Sequence, residues 1–148
     1  MKLPRKIFQK LLSFTVLPVL KHYLKKPRSY NYQGIDLIIP PGVFHPGFFF
    51  STKFLLEYVQ SIDLKGKAFL ELGAGSALLS FYADREGAKV TASDISETVV
   101  KNIIKNQERN QQKFTVIRSN LCEQFPSQKF DIILINPPYY KKTPKTNG

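Results

Sequence analysis

Tryptophan is absent from the 148 residues, cysteine occurs once and histidine twice. The single Cys122 excludes an intrachain disulfide framework and a multi-cysteine metal knuckle. His22 and His45 are too far apart in sequence to suggest a His-rich zinc site, so no metal centre is expected. No apolar run reaches the roughly 18 residues of a membrane-spanning helix. Acidic residues are missing altogether from residues 1–28, which carry eight Lys and Arg. Residues 141–148 add three lysines, whereas residues 29–140 hold 11 basic and 11 acidic side chains. The net charge of +11 therefore lies wholly in two terminal segments around a neutral body. What is plentiful is apolar surface: 43% hydrophobic and 13% aromatic residues exclude wholesale disorder, and the length is that of one domain.

Basic ends concentrate near polyanions through long-range attraction and counterion release. They suit RNA or ribosome contact, or serve only as solvated ends. Within residues 1–28, Ile7, Phe8, Leu11, Leu12, Leu17, Leu20, Tyr23 and Leu24 have helical, amphipathic spacing, broken by Pro18. A helical lid or substrate-recruiting arm is expected there, ahead of a membrane-surface helix. A secretory signal fits poorly, since Ser13, Thr15 and Pro18 interrupt the apolar stretch and Lys21 and His22 follow it. A cytoplasmic protein is expected.

Residues 29–50 begin with SYNYQGIDLIIP, two short strands turning near Gly34, with Ile35, Leu37 and Ile39 alternating. PPGVFHPGFFF is an aromatic loop broken by Pro and Gly. Of Phe48, Phe49 and Phe50, at least one must face a cleft or solvent, with two expected to pack beneath the loop. Ser51 is expected to cap the helix STKFLLEYVQ, with Phe54, Leu55, Tyr58 and Val59 as its buried stripe.

From Lys67 the order is strand (KAFLEL), helix (SALLSFYADRE), strand (AKVTAS), helix (SETVVKNIIKNQERN), strand (KFTVIRS), strand (FDIILI). Ser96 caps the second of these helices, with Val99, Val100, Ile103 and Ile104 on one face. The near-continuous apolar character of FDIILI suggests a strand covered by helices on both faces. This alternation predicts an α/β, Rossmann-like doubly wound sheet over residues 51–140.

ELGAGS joins the first of those strands to its helix. Gly73 and Gly75 permit a tight turn and a close backbone approach to a ligand. Asp94 ends the next strand, 19 residues beyond Gly75, where an acid can accept both hydroxyls of a ribose. It can equally serve the N-terminus of the following helix. Leu78 stands where a dinucleotide site wants its third glycine, and Glu71 would repel a diphosphate. The same carboxylate would attract the sulfonium and ammonium of S-adenosylmethionine. No Gly-Lys-Ser/Thr follows, so this is not a phosphate-cradling P-loop.

Asn136-Pro137-Pro138-Tyr139 follows the last strand, at the carboxyl edge where open α/β sheets bind ligands. The two prolines stiffen the turn and remove two donors. The Asn136 side-chain oxygen and the Pro137 carbonyl then form an acceptor pair for a planar NH₂ group. Tyr139 offers a face on which a flat amide or base can stack.

Taken together, ELGAGS, Asp94 in SDIS, SNL at Ser119–Leu121, and NPPY resemble the class I S-adenosylmethionine-dependent methyltransferases with an NPPY motif. That group includes release-factor glutamine methyltransferases and amino-methyltransferases of adenine or guanine. The resemblance spans about residues 34–140. It implies that Glu71, Gly73, Ala74 and Gly75 line the methionine and ribose side of the cofactor. It implies further that Asp94 binds the ribose, that Ile95 packs on the adenine, and that Asn120 and Leu121 meet the adenine edge. Asn136, Pro137, Pro138 and Tyr139 would hold the target nitrogen. The VFHPGFFFST loop resembles the segment that precedes the first strand in these families and closes over the cofactor, with Phe48 and Thr52 as candidates there. Ala77 departs from the glycine of many relatives but still permits close approach. The family's sheet has more strands than the four that fit here, so a fragment ending in the basic tail 141–148 is expected. RNA, the ribosome or a release factor is the expected partner. The competing readings are a non-catalytic nucleic-acid-binding module and a nucleotide-cofactor oxidoreductase, the latter disfavoured by the missing third glycine.

Overall fold

The computed structural model describes residues 22–48, 50–125 and 127–137. Strands β1 (Arg28–Tyr32) and β2 (Ile35–Ile39) form an antiparallel hairpin, with Tyr32 opposite Ile35. Its turn residues Gln33 and Gly34 both take positive φ, 48° and 84°, as a tight hairpin turn requires. A short 3₁₀ turn, Pro46–Phe48, leads to helix α1 (Phe50–Gln60). Then come β3 (Ala68–Leu72), α2 (Leu78–Arg85), β4 (Lys89–Asp94), α3 (Glu97–Asn110), β5 (Thr115–Arg118) and β6 (Ile132–Ile135). The last four strands make one parallel sheet in the order β5-β4-β3-β6. The order reverses between β3 and β6, so a crevice opens at the carboxyl ends of these central strands. This is the doubly wound α/β fold expected from the alternation. The proposed arm falls mainly on residues 1–21, and the tail on 141–148, both outside the described residues.

The core is continuous from hairpin to sheet. Ile35, Leu37 and Ile39 point inward from β2, and Phe69, Leu78, Phe81 and Ile103 fill the centre. Ser96 caps α3 as expected, its hydroxyl accepting from the Val99 N–H at 3.4 Å.

Three expectations about helix and strand faces are corrected. In α1 the buried residues are Thr52, Leu56 and Val59, while Phe54 and Tyr58 are 71% and 51% exposed. The helix presents its Thr52–Leu56–Val59 side to the core. Ser51 is not the cap, because the helix already includes Phe50. In α3, Ile104 is exposed, and the polar Asn106 and Gln107 are buried with Val99 and Ile103. In β6, Leu134 is buried while Ile133 and Ile135 are 53% and 50% exposed, so only one face of this strand is covered. Of the three phenylalanines, Phe48 and Phe50 are both exposed rather than packed beneath the loop, and Phe49 lies outside the described residues.

Candidate functional site

The bend after β3 uses its glycines as the sequence suggests. Gly73 and Gly75 have φ of 66° and 52°, and a Cβ at Gly73 would meet nothing within 4 Å. Ala77 repeats this left-handed geometry, φ 57°, at the N-cap of α2, where a side chain is costly. It is fully buried, so its methyl is packed into the core at that strained position. The bend is pinned from the next strand: Ala74 N–H donates to the Ser93 carbonyl at 2.9 Å, and Gly75 N–H donates to Asp94 Oδ2 at 3.1 Å. Asp94 Oδ1 accepts from Ser96 N–H at 2.9 Å. One carboxylate thus ties the glycine bend to the start of α3. Each oxygen keeps lone-pair capacity for a further donor.

A cavity of 820 Å³ opens over these groups. Gly73, Gly75, Asp94, Ile95, Asn120 and Leu121 line it, and Asn136 closes one side. Ile95 and Leu121 are exposed apolar side chains at its border. Ser119 sets the last corner: its N–H donates to the Asp94 carbonyl at 3.1 Å, and its hydroxyl donates to the Leu121 carbonyl at 2.8 Å. The Asn120 side-chain amide donates to Glu123 at 2.8 Å. Val43, Phe44 and His45 of the aromatic loop form the opposite wall. His45 was not singled out from sequence. It is buried, its Nδ1 accepts from Gly47 N–H at 3.2 Å, and burial holds its pKa below the usual 6.5.

Beneath the bend lies a second, small space of 30 Å³, bordered by Glu71, Ala74, Thr52 and Asn136. Ala74 and Glu71 are buried and border this inner space rather than the large cavity. Glu71 Oε2 accepts from the Ser80 hydroxyl at 2.5 Å and from the Ser80 N–H at 2.9 Å. Burial nevertheless pushes its pKa up from 4.5 to about 7, the two Ser80 bonds pull against that, and the nearby Asp94 charge adds to the rise. A positive charge nearby is what such a carboxyl lacks. Asn136 is half-buried, and its Nδ2 donates to Thr52 Oγ1 at 3.5 Å. Pro137 follows, exposed; Pro138 and Tyr139 lie outside the described residues. Among the described residues no cluster of three or more His, Cys, Asp or Glu could hold a metal, and no helix is long and apolar enough to cross a membrane.

Comparison with known proteins identifies the family. The sequence profile of the methyltransferase small domain matches residues 34–147. A candidate protein N5-glutamine methyltransferase of Methanocaldococcus jannaschii is 34% identical over 108 residues, covering 72% of this chain and 52% of that protein. The ribosomal protein L11 methyltransferase of Thermoanaerobacter pseudethanolicus is 35% identical over 127 residues, covering 81% and 41%. Among solved structures, the T. thermophilus 16S rRNA N2 G1207 methyltransferase, in complex with AdoMet and guanosine, superposes with a TM-score of 0.64 at 28% identity, covering 80% and 34%. The chain spans about half or less of the length of these relatives.

Proposed function

The chain belongs to the methyltransferase small domain family, and from that premise we propose that it carries the site of an S-adenosylmethionine-dependent N-methyltransferase. The acceptor is a planar amide or exocyclic amino nitrogen. The observation that carries this reading is that Asn136 borders the same cavity as Gly73, Gly75 and Asp94. The group that grips an acceptor and the groups that hold an adenosine then share one opening.

The residues present fit that cofactor. Gly73 leaves the cavity floor free of a Cβ. Asp94 presents acceptors for ribose hydroxyls, and Ile95 and Leu121 supply apolar faces for adenine. Asn120 supplies a polar edge, and Glu71 supplies a carboxyl below the bend that a cation would ionise. When bound, S-adenosylmethionine supplies an electrophilic methyl group on a sulfonium.

The chain's own part is orientation. Asn136 Oδ1 and the Pro137 carbonyl accept the two N–H groups of the acceptor, which turns the nitrogen lone pair toward the cavity. Thr52 fixes which end of the Asn136 amide faces the acceptor. Tyr139, outside the described residues, is the ring on which the flat group would stack. Holding the nucleophile in place and polarising it account for most of the rate, as in other site-positioned transfers. The relatives named for glutamine N5 and guanine N2 act on nitrogens of this planar kind. Those names and the basic ends support a translation-associated substrate, either RNA or a release factor or ribosomal protein. A cytoplasmic activity is in keeping with such a substrate.

Calorimetry with S-adenosylhomocysteine tests the reading. Binding is expected for the wild type and is lost in Asp94→Ala, where the ribose acceptor and both loop ties disappear together. Tight NADH binding without S-adenosylhomocysteine binding would replace this reading with an oxidoreductase.

A further inference from the structure

A second pocket, of 360 Å³, lies on the far side of Thr52 from the glycine bend. The hairpin tyrosines Tyr30 and Tyr32 form one wall, Phe48 and Phe50 the mouth, and Lys53 and Gln60 of α1 the other side. Its volume is at the small end of ligand pockets and suits a single ring system. Thr52 and Leu78 border both this pocket and the small space that contains Glu71 and Asn136. The pocket is therefore one residue's width from the acceptor-gripping asparagine.

Its chemistry is that of a base-stacking site. The rings of Tyr30, Tyr32, Phe48 and Phe50 offer flat apolar faces, and Phe50 is 91% exposed at the mouth. Polar groups border the pocket as well: Thr52, Lys53, Glu57 and Gln60 line it, and Tyr32 Oη accepts from Gln60 Nε2 at 2.9 Å and from Gln33 Nε2 at 3.3 Å. Lys53 lies at the rim, exposed, with its nearest carboxylate, Glu57, at 4.0 Å. The acid-free segment leading into β1 meets the mouth directly. The Arg28 guanidinium lies 3.5 Å over the Tyr23 ring, and Tyr23 packs edge-to-face on Phe48 at 6.2 Å. Arg28, stacked on Tyr23, thus brings positive charge beside an aromatic pocket, the pairing that holds single strands by backbone and by base.

We infer that this pocket receives the unstacked base next to the methylated one in a single-stranded polynucleotide, with Phe50 and the hairpin tyrosines stacking on it and the residue 25–28 cations and Lys53 meeting the phosphates. The identification of the methylated neighbour rests on the methyl-transfer reading; the pocket itself does not.

The test is fluorescence anisotropy of labelled single-stranded RNA and DNA oligonucleotides of one sequence, run beside calorimetry with S-adenosylhomocysteine. The chain is compared with Phe50→Leu, Phe50→Tyr and Lys53→Gln. Phe50 and Lys53 are both exposed, so these variants keep the fold. Phe50→Leu is expected to weaken polynucleotide binding about fivefold or more, whereas Phe50→Tyr, which keeps the ring, stays near wild type. Lys53→Gln is expected to lower the salt dependence of binding by about one phosphate contact. Cofactor-product affinity stays unchanged in all three. A preference for one sugar names RNA or DNA as the source. Polynucleotide binding that ignores Phe50 and Lys53 overturns the pocket. So does Phe50-dependent binding of a purified ribosomal protein or release factor with no binding of either oligonucleotide. The two readings fail separately. Phe50-dependent oligonucleotide binding in a chain that does not bind S-adenosylhomocysteine supports the pocket and removes the methyl-transfer reading. Intact S-adenosylhomocysteine binding with Phe50-indifferent oligonucleotide binding does the reverse.

Discussion

Asn106 holds Ile38 by both of its backbone polar groups: its side-chain oxygen accepts the Ile38 N–H at 3.0 Å, and its NH₂ donates to the Ile38 carbonyl at 3.1 Å. One amide side chain thereby acts as a strand partner for the outer edge of β2. Asn102 and Asn110, one helical turn to either side, extend the ladder. Asn102 donates to the Ile38 carbonyl at 2.9 Å, and Asn110 exchanges two bonds of 2.7 Å with the backbone of Asp36. An edge that could recruit another chain is thus closed by a helix. The clamp also joins two parts of the cavity, since β2 runs on into Val43–His45 and α3 begins beside Asp94.

Asn106 is 1% exposed, and its removal leaves the half-buried Ile38 N–H unpaired. Asn106→Ala should lower stability by about 2–4 kcal/mol, and Asn110→Ala, at the exposed end, by about 1 kcal/mol. Urea unfolding monitored by circular dichroism gives both values. A loss in Asn106→Ala no larger than that in Asn110→Ala would mean the ladder is incidental to the fold.

Glu71 gives a pH dependence of fixed sign. Its folded pKa, about 7, lies above the ordinary 4.5, so the folded state binds this proton more tightly than the unfolded state does. The group destabilises the ligand-free fold progressively as pH rises from 4.5 to 7, and the effect is constant above that. A bound cation reverses the preference by favouring the carboxylate. S-adenosylmethionine affinity should therefore rise about tenfold from pH 6 to pH 8 and level off. Burial holds the His45 pKa below its ordinary value, and the Glu71→Gln comparison separates its contribution from that of Glu71. Calorimetry across the range should show the rise in the wild type and a flat profile in Glu71→Gln. An equal rise in the variant would assign the effect to another group.

The parts of this molecule that are written in local grammar could be read directly. A strand followed by Gly73 and Gly75 can only turn tightly, Ser96 followed by a helical run is a cap, and an acid ending the next strand falls at the same sheet edge. What could not be read depends on distant partners. Phe54 and Tyr58 looked like a buried stripe because the spacing of apolar residues gives a helix's period but not which side its neighbours occupy. The hydrogen bond between Asn106 and Ile38 spans 68 residues, and that between Asn136 and Thr52 spans 84. The i, i+4, i+8 spacing of Asn102, Asn106 and Asn110 was the one available sign of the ladder. It resembles an ordinary solvated face until a strand is laid against it. His45 carried no signal beyond its place in the aromatic loop.

Strand β6 makes a prediction about association. Among the described residues it pairs only with β3, and Ile133 and Ile135 occupy its open face. An unpaired edge beside exposed branched residues promotes contact between copies. Sedimentation velocity should show the mass of the chain rising with concentration, and Ile133→Thr with Ile135→Thr should reduce that rise while keeping the strand. A wild type that stays monomeric at high micromolar concentration would show that this face is already covered.

Asn136 and Thr52 separate positioning from binding. Asn136→Ala removes the side-chain acceptor and should cut methyl transfer by about a hundredfold or more, with affinity for S-adenosylhomocysteine little changed. Thr52→Val is nearly the same shape but takes away the oxygen that receives the Asn136 NH₂ at 3.5 Å. The amide then loses its preferred orientation and presents donor and acceptor alternately to the substrate nitrogen, which should cost about tenfold in kcat. Combining the two substitutions should give no more loss than Asn136→Ala alone, because Thr52 acts on the acceptor through that amide. Single-turnover transfer from labelled S-adenosylmethionine measures all three. A Thr52→Val loss that adds fully to that of Asn136→Ala would show that the threonine contacts the cofactor or acceptor itself. An Asn136→Ala variant that loses cofactor affinity as steeply as rate would show that the turn supports the fold of the cavity rather than the reaction.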